Sequence, residues 1–137
     1  MKLLEVSPCS HLVAAAMILL LPFRLLTAAM LAAAFHELCH LIVLLAFSTP
    51  IYGIRINPAG AVIQTGVLSP AQELICAAAG PTGSLLLLVL SDVFPLLAFS
   101  GLIQGLFNLL PVYPLDGGRI LRQLMTIGKE KFLAKMR

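Results

Sequence analysis

The sequence predicts an all-α polytopic membrane protein of about four transmembrane helices, with a short membrane-associated β-hairpin between the second and the third. Composition sets the class: 60% of the 137 residues are hydrophobic, 11% are charged and the mean hydropathy is +1.02, far from soluble usage. Long apolar windows predict the helices, and one stretch of alternating β-branched and polar residues predicts the hairpin. A chain of this length forms a single domain, residues 1–137.

A hydrocarbon core ~30 Å thick asks for roughly 20 apolar residues in a helix. The first span, about Pro8 to Leu21, is shorter than that. Pro22-Phe23-Arg24 breaks the chain, and a longer span runs from about Leu25 to Phe47, ended by Ser48-Thr49-Pro50. The apolar run continues through Ala32-Ala33-Ala34, so cleavage of a signal peptide there is not expected. Residues 51–69, IYGIRINPAGAVIQTGVLS, alternate around Pro58 and Gly60 as a hairpin does. Ser69 then supplies an N-cap, Pro70 a first turn and Glu73 an acid near the positive end of a third span, about Pro70 to Leu90. Gly80, Pro81 and Gly83 are expected to interrupt its middle. A fourth span, about Phe94 to Leu110, runs into PVYPLDGG, and the basic tail from Arg119 to Arg137 suits a bilayer surface.

Threading the spans puts Lys2, Arg55, Arg119, Arg122, Lys129, Lys131, Lys135 and Arg137 on one side and Arg24 alone on the other. The cation-rich side is therefore expected to be cytoplasmic, in a multi-pass protein of the cell membrane with both termini inside. The net charge of +3 comes largely from that tail, so no nucleic-acid partner is expected. Cys9, Cys39 and Cys76 lie in apolar segments without paired spacing and read as free thiols.

His36-Glu37-Leu38-Cys39-His40 is an H-E-x-x-H sequence inside the second span. On a helix, histidines four apart project from one face, so both imidazoles can reach one Zn²⁺. Glu37 is then placed to take a proton from water rather than to bind metal. An ionisable residue inside a span is costly, and three together need a shared purpose. A catalytic zinc usually keeps three protein ligands. Asp116 is the choice for the third, because it follows the fourth span, threads to the same face as the histidines and precedes Gly117-Gly118, which permit close backbone approach. A plain turn residue is the alternative reading of Asp116.

Three blocks of the chain resemble the site-2 proteases, a family of intramembrane zinc metalloproteases, and among them the small bacterial sporulation-type members. HELCH resembles the family's HELGH. Residues 73–81, ELICAAAGP, resemble its E-x-x-x-A-x-A-G-P helix, and residues 108–119, NLLPVYPLDGGR, resemble its N-L-L-P-x-x-P-L-D-G-G-R signature. The resemblance implies His36, His40 and Asp116 as the ligands of one zinc per chain, Glu37 as general base and Asn108 as a second catalytic residue, a polar group near the scissile carbonyl. It implies a catalytic core over about residues 25–120, with 121–137 as a tail, and an active site near the cytoplasmic face. The implied partners are the lipid bilayer and a membrane-protein substrate, cut in or near a transmembrane segment during regulated intramembrane proteolysis; a regulatory membrane partner is left open. The segment Ile51 to Val67 resembles the family's membrane-embedded β element, whose edge takes an unwound substrate as an added strand.

The chain departs from the family pattern at three places. Cys39 replaces the glycine between the histidines, Ser84 stands where A-G-P-x-x-N has asparagine, and Asn57-Pro58-Ala59-Gly60-Ala61 only loosely matches L-P-F-G-G. These changes are expected to touch substrate positioning more than metal binding. The alternatives are an inactive zinc-binding relative that serves as a binding module for membrane proteins, and, more distantly, a small membrane transporter or assembly subunit.

Overall fold

The computed structural model describes residues 4–6, 8–57 and 60–136. Pro58 and Ala59 of the hairpin tip, and Lys2 and Arg137 of the charge count, lie outside the described residues. In chain order the elements are β1 (Leu4–Val6), α1 (Pro8–Leu20), α2 (Phe23–Ala46), β2 (Ile51–Asn57), β3 (Gly60–Thr65), α3 (Pro70–Leu86), a 3₁₀ turn (Leu87–Leu90), α4 (Pro95–Asn108) and α5 (Asp116–Lys135).

Length separates the helices into two groups. α2 has 24 residues, and α3 with its 3₁₀ extension has 21; both are long and apolar enough to cross a bilayer. α1 has 13 residues and α4 has 14, which at 1.5 Å per residue gives only about 20 Å each. Of the four expected spans, α2 and α3 are thus long and apolar enough to cross, and α1 and α4 are shorter apolar helices. The residues that a soluble protein would bury are turned outward here. Met30, Leu31, Leu38, Ile42 and Leu45 of α2 and Leu96, Phe99, Ile103, Leu106 and Phe107 of α4 are exposed, as lipid-facing side chains are.

The inside is built from small residues. α2 buries Ala28, Ala32, His36, His40 and Leu44, one stripe at four-residue spacing. α3 turns Cys76, Ala77, Gly80, Pro81, Gly83 and Ser84 to the interior, and α4 turns Ala98, Ser100, Gly101 and Gly105 there. With lipid outside, helices gain from close backbone approach rather than from hiding apolar surface. A Cβ added at Gly101 would lie 2.6 Å from the Ser84 carbonyl oxygen, so α3 and α4 touch almost backbone to backbone.

Local signals behave largely as the sequence implies. Ser69 caps α3 in a full capping box: its hydroxyl accepts from the Gln72 backbone N–H at 3.3 Å, and its own N–H donates to Gln72 Oε1 at 3.0 Å. The expected interruption at Gly80-Pro81-Gly83 does not occur. α3 runs unbroken to Leu86 with Pro81 inside it, because proline removes one backbone hydrogen bond and the packed neighbours hold the rest of the turn.

The hairpin is present, with Ile54 opposite Ile63 and Arg55 opposite Val62, but it belongs to a three-stranded sheet. β1 lies parallel to β2, Leu4 beside Ile54 and Val6 beside Ile56, giving the order β1-β2-β3. One edge of β2 is thus covered, and among the described residues the outer edge of β3 is the open long edge.

Candidate metal centre

The four-residue stripe of α2 brings both imidazoles to one point. His36 Nε2 and His40 Nε2 lie 3.2 Å apart, and Asp116 Oδ2 lies 3.0 Å from the first and 3.2 Å from the second. All three residues are buried, although Asp116 is 80 residues from His36 along the chain. Asp116 arrives as the first residue of α5 rather than as a turn residue. Backbone approach makes this possible: a Cβ on Gly117 would strike the Leu109 carbonyl, and one on Gly118 would lie 2.6 Å from Tyr113 N.

The donor set suits a cation. His40 Nδ1 donates to the Cys76 carbonyl at 2.7 Å, which leaves a neutral His40 with a bare lone pair at Nε2. That lone pair faces a carboxylate oxygen and a second ring nitrogen. Such a triangle is repulsive unless positive charge sits among its members. Two imidazole nitrogens and one carboxylate oxygen form a set used by zinc, and ligands ~2.0–2.1 Å from a tetrahedral ion lie about 3.3 Å apart, close to the spacing seen. His36, His40 and Asp116 could together hold a metal ion. Gly80 guards the same point, since a Cβ there would overlap His40 Nε2 and lie 2.6 Å from His36 Nε2.

Asp116 lies beyond the helices able to cross a bilayer. Burial alone raises its carboxyl, but hydrogen bonds from His36 and His40, followed by their charge, outweigh this and hold it well below the usual carboxylate range. It is therefore anionic at neutral pH, as a carboxylate that holds a cation must be.

Each of the three residues is also held from behind. His36 Nδ1 is 2.8 Å from Ser84 Oγ, and Ser84 is fully buried. The Cys76 carbonyl holds His40, and Arg119 Nη1 donates to Asp116 Oδ1 at 3.2 Å. The hydroxyl at the Ser84 departure thus reaches one imidazole of the cluster from behind and steadies its tilt. The departure at Cys39 is absorbed by α3: a Cβ on Gly83 would strike Cys39 Sγ, so the thiol packs into the room that glycine leaves. Removing the hydroxyl in Ser84→Ala is expected to weaken zinc binding about tenfold, measured by competition with a chelating indicator.

A cavity of about 440 Å³ opens on the cluster. Glu37 is in its wall, with Oε2 buried. β3 contributes Val62, Ile63 and Thr65, and Arg119 and Arg122 line it from α5. Asn108 is on the same wall, its amide nitrogen donating to the Gln104 carbonyl at 3.1 Å. The structure thus joins His36, His40 and Asp116 in one cluster and sets Glu37 and Asn108 beside it.

Fold and cluster together define a membrane-type helical protein with a buried His-His-Asp cluster that could hold a metal ion. Residues 88–136 match the profile of peptidase family M50. A zinc metalloprotease of Methanocaldococcus jannaschii is 33% identical over 105 aligned residues, which cover 66% of this chain and 31% of that protein. The chain therefore spans about a third of the length of this curated relative. The solved structure of the site-2 protease from Methanocaldococcus jannaschii superposes with a TM-score of 0.75 at 28% identity, over 90% of this chain and 67% of that one. The chain is thus similar to peptidase family M50 over residues 88–136 and to a site-2 protease in its fold.

Proposed function

We propose that the chain is an intramembrane zinc endopeptidase that hydrolyses a peptide bond in or near a transmembrane segment of a membrane protein. The observation that carries this reading is the convergence of two Nε2 atoms and one carboxylate oxygen within 3.0–3.2 Å of one another, in a cavity walled by Glu37 and by a sheet edge. His36, His40 and Asp116 would hold one zinc per chain, which would supply Lewis-acid chemistry at the cavity when bound. Glu37 accepts a proton from the attacking water and returns it to the leaving amine as the C–N bond breaks. Asn108 donates to the oxygen on which charge develops. The substrate unwinds and adds along β3, whose main chain satisfies its backbone groups while one peptide bond is offered to the cavity.

The charge asymmetry supports a cytoplasmic location for this end of the molecule. Arg24 lines one apolar pocket together with Leu90, Val93, Phe94 and Pro95, so the two turns with few cations share one end, and Arg119 and Arg122 line a different cavity. We propose a multi-pass arrangement with both termini inside and regulated intramembrane proteolysis as its setting.

The test is co-expression with a panel of candidate membrane substrates, alongside zinc analysis. About one zinc per chain, lost in His36→Ala and in Asp116→Ala, with cleavage lost in the same variants, supports the reading. Zinc bound to a wild type that leaves the whole panel intact favours the inactive relative.

A further inference from the structure

Asp116 divides its two oxygens between different partners. Oδ2 faces the imidazole pair at 3.0 and 3.2 Å, while Oδ1 accepts from Arg119 Nη1 at 3.2 Å. The far side of that guanidinium meets α3, where Arg119 Nε lies 3.6 Å from Glu73 Oε1. We propose that Glu73 and Arg119 act as a positioning pair, which turns one oxygen of Asp116 toward the metal centre and holds the other away. The proposal rests on the reading of His36, His40 and Asp116 as the metal ligands.

A carboxylate has two equivalent oxygens and rotates readily about its last bond. Left alone beside a cation it can present either oxygen, or both. Arg119 removes that freedom. It lies three residues after Asp116 on the same helix, within reach of the same face, and its planar fork can serve two acids in one fixed orientation. Glu73 matters because Arg119 is half-buried, with 29% of its side chain exposed. An arginine at such a site drifts toward solvent unless something on the other side retains it, and Glu73 comes from the neighbouring helix to do so. At this exposure the ion pair adds little to stability. Its effect is orientation.

The two acids carry different parts of the expected effect. Losing the fork frees Asp116 directly, and losing Glu73 only loosens the fork. Lysine at 119 keeps the charge but not the planar donors, so it restores part of the effect.

The full-length protein in detergent, loaded with cobalt in place of zinc, gives two readouts: affinity by competition with a chelating indicator, and the intensity of the visible cobalt bands, which falls when a further oxygen joins the ligands. Arg119→Gln is expected to bind cobalt 10- to 100-fold more weakly, with weaker bands. Arg119→Lys falls between it and wild type. Glu73→Gln has a smaller effect that disappears in the Arg119→Gln background, because the glutamate acts through the arginine. Wild-type affinity in Arg119→Gln overturns the proposal, as does lowered affinity with unchanged bands, or a Glu73→Gln effect that adds fully to the first. Should Arg119→Gln fail to fold, Arg119→Lys and Glu73→Gln carry the same comparison. Wild-type protein that takes up no cobalt overturns the metal reading itself, and this proposal with it.

Discussion

Gly80→Ala is expected to weaken metal binding by up to about 100-fold while leaving a folded protein. The added methyl would overlap His40 Nε2 and crowd His36 Nε2 at 2.6 Å, so both rings must turn away from Asp116. His40 can turn only by giving up its bond to the Cys76 carbonyl at 2.7 Å. Forcing extra volume into a packed interior costs about 1–3 kcal/mol, and each 1.4 kcal/mol is a tenfold change in affinity, so the loss approaches 100-fold. Alanine is the better helix former by up to about 1 kcal/mol, which offsets part of the strain in α3. Zinc content after purification, set beside a thermal melt with chelator present, separates the two effects. Zinc affinity equal to wild type in the variant, read by competition with a chelating indicator, would contradict the placement of Gly80 against the imidazoles.

Glu37→Gln is expected to do the reverse, keeping the metal and losing cleavage. Glu37 is not among the three converging atoms, so a neutral side chain of the same shape leaves them in place. It cannot accept a proton from water. General acid–base groups contribute roughly 10²- to 10⁴-fold, and the cleavage rate should fall by that much, read from the accumulation of product against a co-expressed substrate. A variant that cuts within about tenfold of wild type would remove Glu37 from the role of base.

Much of the centre was legible because its chemistry repeats at helical spacing. His36 and His40 sit four apart, so any helix through them brings the rings together. Asp116 was reachable through its two glycines, which betray a backbone contact. The supporting residues carried no such signal. Ser84 looks like a mere departure from a pattern until the fold puts its hydroxyl 2.8 Å from His36 Nδ1. Cys76 acts through a carbonyl, which every residue possesses. Gly80 and Pro81 suggest a kink, yet burial against the imidazoles keeps the helix whole. A pattern was nonetheless present: Cys76, Gly80 and Ser84 follow one another at four-residue intervals, the same stripe that α2 shows with its histidines. Arg119 and Glu73 needed the packing of α3 on α5, a contact between distant parts of the chain. β1, at three residues, is too short for alternation to mark, and only its parallel register with β2 gives it meaning.

That short strand limits how molecules can meet. With one flank of β2 covered by β1, the outer side of β3 is, among the described residues, the long row of amides open to visitors, and it borders the cavity. Two copies joining flank to flank would each occupy the other's berth. Self-association along this sheet would therefore rival the strand addition proposed for a substrate, and the proposed cleavage is expected to slow as this protein alone crowds the bilayer.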